Sequence, residues 1–202
     1  MKLKSDSSLT ITRRQFISTT AASAAVLGAW SAAPFVARGR VIGANDTIGI
    51  GFIGVGNRGS SHMGTVQRLV QQGENLKVVA VNDAYKYRRD VAAKPTGAKT
   101  YRKHADLLAD PAVDIVCIAT PDRLHLPQAL DALRAGKDIY CEKPMGHWSQ
   151  WSLAKQFYEE TVRLGRVVQI GNQGNSNPAW QKVRELVRQG AIGRTQLVNA
   201  GF

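Results

Sequence analysis

The chain has 202 residues, enough for one sizeable domain or for one domain with part of another. With 44% hydrophobic and 21% charged residues, its composition is that of a soluble globular protein and excludes a fibrous or disordered chain. The net charge of +12 falls to +8 over residues 40–202 (22 basic against 14 acidic), and it is scattered rather than gathered in a stripe with aromatics, which argues against nucleic acid as a partner.

Residues 1–39 read as an address and linker. A polar, basic start leads to Thr12-Arg13-Arg14-Gln15-Phe16-Ile17, and an uncharged Ala/Ser/Thr-rich stretch runs on to Ala37. Paired arginines before a mildly apolar segment are the layout of a twin-arginine export signal, which predicts engagement of the export machinery and a periplasmic location. Ser18, Thr19, Thr20, Ser23 and Ser31 dilute the stretch and Pro34 closes it, which argues against a membrane span. Small residues precede two candidate cleavage points, after Ala33 and after Gly39, so a cleaved signal and an uncleaved tether both stay open.

The texture changes at Thr47. Ile48–Ile53 is a short apolar run, the pattern of a buried parallel strand, and Gly54-Val55-Gly56-Asn57-Arg58-Gly59 follows at once. His62 to Val70 continues as a helix. Between strand and helix this glycine loop is a dinucleotide-binding fingerprint: Gly54 for the tight turn, Gly56 for close approach of a pyrophosphate, Gly59 for helix–strand packing. Asn57 and Arg58 complete the cofactor-binding loop. Leu76–Val81 is a second strand ending at Asn82-Asp83. Asp83 stands where an acidic side chain takes the adenosine ribose hydroxyls, or it caps the next helix. An acid here favours NAD, since a 2′-phosphate would meet like charge. The cluster Lys86, Arg88 and Arg89 could offset that repulsion, so NADP stays open.

The alternation continues as a doubly wound α/β sheet. Lys99–Tyr101 reads as a third strand, His104–Ala109 as a short helix, and Asp114–Ala119 as a fourth strand. Leu124–Ala135 is a helix stopped by Gly136, Asp138–Cys141 a fifth strand, Ser149–Leu164 a helix, and Arg166–Ile170 a sixth strand. Cys117 and Cys141 lie in apolar runs and read as buried free thiols. His62, His104, His125 and His147 share no ligand spacing, so no metal is expected.

In such a sheet the ligand lies beyond the carboxyl ends of the strands, and two of these ends are chemically loaded. Strand four is followed by Thr120-Pro121-Asp122-Arg123-Leu124-His125, and strand five by Glu142-Lys143-Pro144. Proline at 144 biases Lys143 toward an extended backbone. With the glycine loop, Ala135-Gly136-Lys137, Gln169–Gln173 and Gly190–Gly193, these motifs resemble those of the Gfo/Idh/MocA oxidoreductases, over residues 47–202. Gly146-His147 after the lysine motif resembles exported members in particular. The resemblance implies a Rossmann domain over residues 45–175 and a nicotinamide-dependent oxidoreductase acting on a sugar or polyol hydroxyl. Lys143 would be catalytic, beside nicotinamide and substrate. Thr120, Pro121, Asp122, His125 and Glu142 would shape the cofactor pocket. For Lys143 the plainer alternative is a surface lysine paired with Glu142, and for His125 a helix-start histidine without chemistry.

The resemblance also implies a large second α/β domain carrying a further acid/base residue, and oligomers of the full-length form. Residues 176–202 read as a linking helix and only the first strand of that domain, Thr195–Phe202. The expectation is therefore a truncated product that binds a dinucleotide and is catalytically incomplete. Two alternatives remain: an NAD-dependent glycosidase of a related branch, against which Glu142-Lys143-Pro144 argues, and a non-catalytic dinucleotide-binding module.

Overall fold

The computed structural model describes residues 46–199, so the export-signal reading and the last three residues of the expected final strand lie outside the described residues. Six strands form one parallel sheet: β1 (Ile48–Ile53), β2 (Leu76–Asn82), β3 (Lys99–Tyr101), β4 (Ile115–Ile118), β5 (Asp138–Glu142) and β6 (Val168–Gly171). Their spatial order is β3-β2-β1-β4-β5-β6. The order reverses between β1 and β4, and that switch point leaves a crevice at the carboxyl edge.

Apolar residues alternate across the strands, so both faces are buried. On one face Phe52, Val55, Val78, Val81 and Cys117 pack with Met63 of helix α1 (Asn57–Gln71) and Ala92 of α2 (Lys86–Ala93). On the other, Ile53, Val116, Ile118, Ile139 and Cys141 pack beneath α3 (His104–Leu108), α4 (Asp122–Arg134) and α5 (Trp151–Leu164). Leu107, Leu126, Leu133 and Phe157 fill that second layer. Each such side chain contributes about 1.5–3 kcal/mol on removal from water.

Helix α4 contains Pro127, which cannot donate to the carbonyl of Arg123 one turn earlier. The Gln150 side chain supplies the bond instead, its Nε2 donating to that carbonyl at 2.9 Å. The same amide's oxygen accepts from the His147 backbone N–H at 3.0 Å. One side chain thus repairs the helix and anchors the segment after Lys143.

At the amino edge of the sheet, Lys137 is buried just before β5. Its ammonium donates to the carbonyls of Val113 (2.7 Å) and Asp110 (3.1 Å), ahead of β4. Burial pushes its pKa down against the pull of Asp114 and Asp110. Asp110 accepts from the Tyr101 hydroxyl at 2.7 Å and from Lys99 at 3.4 Å, closing the cluster.

Three elements differ from the sequence reading. Helix α2 was foreseen only as a helix that Asp83 could cap, without bounds; its eight residues have little apolar surface beyond Val91, Ala92 and Ala93. Helix α1 begins at Asn57, five residues before the periodic run. Residues 195–199 are exposed and form no strand, with no pairing partner among the described residues. Before them, helix α6 (Pro178–Arg188) follows a 3₁₀ turn at Gln173–Ser176 and has no buried residue.

Candidate functional site

The glycine loop sits in the crevice, bracketed by both neighbours of β1. Gly54 N–H donates to the Asn82 carbonyl at the end of β2 (2.8 Å), and Ala119 N–H to the Ile53 carbonyl (2.9 Å). Gly54 has φ +85°, and a Cβ there would lie 2.7 Å from the Ala119 carbonyl oxygen. A Cβ on Gly59 would lie 2.0 Å from the Gly54 oxygen, so only glycine lets α1 close on the strand. Gly56 is different: a Cβ would meet nothing but the Arg88 guanidinium, at 3.5 Å and beyond. Among the described residues the space beside Gly56 is therefore open, with room for a pyrophosphate to approach the backbone. The first turn of α1 carries no acidic residue, and no side chain caps it. Its free N–H groups and dipole suit an anion. The residues present therefore fit a dinucleotide.

Asp83 is oriented by the backbone. One carboxylate oxygen accepts from Val55 N–H (3.0 Å) and the other from Tyr85 N–H (2.9 Å). Each oxygen keeps acceptor capacity for a ribose hydroxyl. Of the three cations after it, Lys86 pairs with Asp90 at 2.6 Å, and Arg89 donates to the carbonyls of Asp83 and Ala84.

Across the crevice two loops are strapped together by buried polar side chains. His125 is 1% exposed. Its ring spans the carbonyls of Thr120 (2.7 Å from Nε2) and Pro144 (2.6 Å from Nδ1), joining the loop after β4 to the loop after β5. The Thr120 hydroxyl donates to Gln128 at 2.7 Å, Pro121 precedes α4, and Asp122 lies exposed in its first turn. His125 thus meets the site through backbone carbonyls and presents no face to the crevice itself.

Glu142 is 3% exposed, and one oxygen gathers two side chains of α1. Arg58 reaches it through Nε (3.2 Å) and a terminal nitrogen, and His62 Nε2 lies at 2.7 Å. The other oxygen accepts from the Lys143 backbone N–H at 3.2 Å. Burial raises the Glu142 pKa, but the bonds from Arg58 and His62 outweigh it and hold the carboxyl below its ordinary range. The His62 ring meets Tyr140 edge-on at 5.1 Å. Glu142 therefore pairs with α1 and not with the Lys143 ammonium, contrary to the plainer alternative. Lys143 is exposed, joined to Pro144 by a cis peptide bond, and its ammonium pairs with no carboxylate among the described residues.

Gly54, Gly56, Gly59, Asp83, Thr120 and Lys143 thus come together at one edge of one sheet. Arg58 and Glu142, expected to meet a cofactor, meet each other. His62 was missed; its place one turn after Arg58 was visible, its target 80 residues away was not.

Comparisons with known proteins agree with this geometry. The family model of the Gfo/Idh/MocA oxidoreductases, described as an oxidoreductase family with an NAD-binding Rossmann fold, matches residues 48–172. The chain is 34% identical over 163 residues to inositol 2-dehydrogenase 2 of Saccharopolyspora erythraea, covering 77% of this chain and 47% of the relative. It is 32% identical to inositol 2-dehydrogenase of Rubrobacter xylanophilus, covering 75% and 42%. Among solved structures, scyllo-inositol dehydrogenase from Lactobacillus casei with bound NAD(H) and scyllo-inositol superposes with a TM-score of 0.66 at 27% identity, over 73% of this chain and 43% of that one. The WlbA dehydrogenase from Bordetella pertussis in complex with NADH and UDP-GlcNAcA gives 0.67 at 28%, over 74% and 43%. The chain spans less than half the length of these relatives.

Proposed function

The chain belongs to the Gfo/Idh/MocA oxidoreductase family, and from that premise we propose that it is the nucleotide-holding portion of an enzyme moving hydride between a sugar or polyol hydroxyl and NAD. The observation that carries this reading is the convergence of the glycine loop, Asp83 and the two strapped loops on one sheet edge, with a Lys143 ammonium that meets no carboxylate among the described residues. Bound NAD supplies the hydride acceptor. The chain's own groups bind and orient. The α1 amino terminus receives the pyrophosphate, Asp83 accepts from the ribose hydroxyls, and Glu142 and His125 hold the backbone on either side of Lys143. The Lys143 side chain orients the substrate hydroxyl, and the proton released with the hydride passes to the further acid/base residue that family resemblance implies in a second domain. Asp83 favours NAD over NADP by charge. Polyol substrates are supported by the inositol dehydrogenases among the relatives. Export by the twin-arginine route to the periplasm, supported by Thr12–Ile17, belongs to the same proposal.

Titration of the chain with NADH and NADPH, followed by nicotinamide fluorescence, tests the reading. Saturable binding with NADH the tighter ligand is expected, and no binding of either overturns it. In a preparation with polyol-dependent NAD reduction, Lys143→Ala should abolish turnover while NADH affinity stays within about threefold, since the lysine acts at the reacting oxygen rather than on the nucleotide.

A further inference from the structure

Two arginines flank the glycine loop, and their surroundings divide them. Arg58, in the first turn of α1, spends Nε and one terminal nitrogen on Glu142. Arg88, on α2, has no carboxylate within ion-pair distance among the described residues, and its guanidinium carbon lies 6.0 Å from the centroid of the Tyr85 ring. Its Nη1 is the group nearest the open position above Gly56, 3.5 Å from where a Cβ would stand. The neighbouring cations are engaged: Lys86 by Asp90, Arg89 by two carbonyls, and Arg68 by the Thr65 hydroxyl.

We infer that the two arginines divide the work of the loop: Arg88 is the side chain that binds the dinucleotide pyrophosphate, and Arg58 is a positioning residue that braces the Lys143 backbone through Glu142. The inference rests on the nucleotide-binding reading above and assigns its charges. A guanidinium presents a planar fork that matches two phosphate oxygens, and Arg88 has that fork free. The uncapped start of α1 supplies backbone donors on the other side of the same ledge. Arg58 reaches the site by another path, because the carboxylate it fixes also accepts from the Lys143 N–H.

Calorimetric titration of the 202-residue chain with ADP-ribose and with adenosine, together with amide hydrogen exchange at Lys143, Met145 and Gly146, separates the two roles. Arg88→Ala should weaken ADP-ribose about tenfold or more, the worth of a charge-assisted bond, and reduce its salt dependence. Adenosine affinity and exchange at the three amides should not change. Arg58→Ala should leave ADP-ribose within about twofold and speed exchange at those amides about tenfold, since a neighbouring buried bond is lost. Arg58→Lys, which keeps the charge without the fork, should do the same in smaller measure and serves if the alanine variant does not fold. Unchanged ADP-ribose affinity in Arg88→Ala, or a larger loss from Arg58→Ala, overturns the division. So does a loss confined to 2′-phospho-ADP-ribose, which would assign Arg88 to the adenosine phosphate of NADP. A wild-type chain that binds no ADP-ribose removes the nucleotide-binding reading as well.

Discussion

At the amino edge of the sheet Lys137 is buried with its ammonium on two carbonyls, whereas at the carboxyl edge Glu142 is buried with Arg58 and His62 on one oxygen. Both are charges inside the fold, and both have their partners. The difference lies in what surrounds them. Around Lys137 the neighbouring polar groups also close on one another, Asp110 taking both Tyr101 and Lys99. Around Glu142 and His125 the straps consume backbone and support groups, while Lys143, Arg88 and the start of α1 keep their charge and donors. A closed cluster stabilises an edge; a braced but open one prepares it to receive a ligand.

That contrast is broken most severely at Glu142. Glu142→Ala leaves Arg58 and His62 without their acceptor and should cost about 2–3 kcal/mol, less than a fully buried pair because Arg58 is half exposed. Denaturant unfolding measures this loss, and NADH affinity should fall with it. The pH dependence has a definite sign. The folded carboxyl titrates below its unfolded value, so its contribution is present above about pH 4.5 and disappears as pH falls through the depressed value. The stability gap between wild type and Glu142→Gln should therefore shrink on acidification below pH 4.5, and a gap that widens there would contradict the assignment.

Lys137→Met tests the opposite edge. Loss of its two bonds should cost about 1–2 kcal/mol, partly offset by the apolar side chain, with NADH affinity within about twofold. A large loss of affinity would mean that the amino edge is not merely structural. Tyr101→Phe should cost about 1 kcal/mol through the bond to Asp110. Burial and that carboxylate push the Tyr101 pKa up to about 12, so its contribution holds below pH 10 and is lost as pH rises toward 12. The smallest effect belongs to Gln150→Ala, about 0.5–1 kcal/mol, because water can reach the exposed Arg123 carbonyl it leaves. Its signature is faster amide exchange at His147 with unchanged exchange in the core strands.

Much of this was legible in the sequence because the determinants were local. The runs Ile48–Ile53 and Lys99–Tyr101 fall as strands over the residues expected, and Gly54 and Gly59 are required by contacts that a strand–turn–helix context already implies. What escaped depended on distance or on packing. The acceptor of His62 and Arg58 lies 80 and 84 residues and four strands' worth of chain away. The bounds of helix α2 escaped because two buried alanines carry it, too small an apolar face to register as periodic. Thr195–Asn199 has the composition of a strand, but no strand among the described residues pairs with it.

The two thiols lead to a separate consequence. Cys117 pairs in register with Tyr140, so Cys141, one residue further along β5, points to the other face of the sheet, and the two pack in different core layers. Burial pushes both pKa values up to about 12, which leaves almost no thiolate at neutral pH. With the sheet between them they cannot form a cystine, and neither is open to an oxidant. The fold is thus indifferent to redox conditions, and an oxidising compartment would neither strengthen it with a bond nor damage it by one.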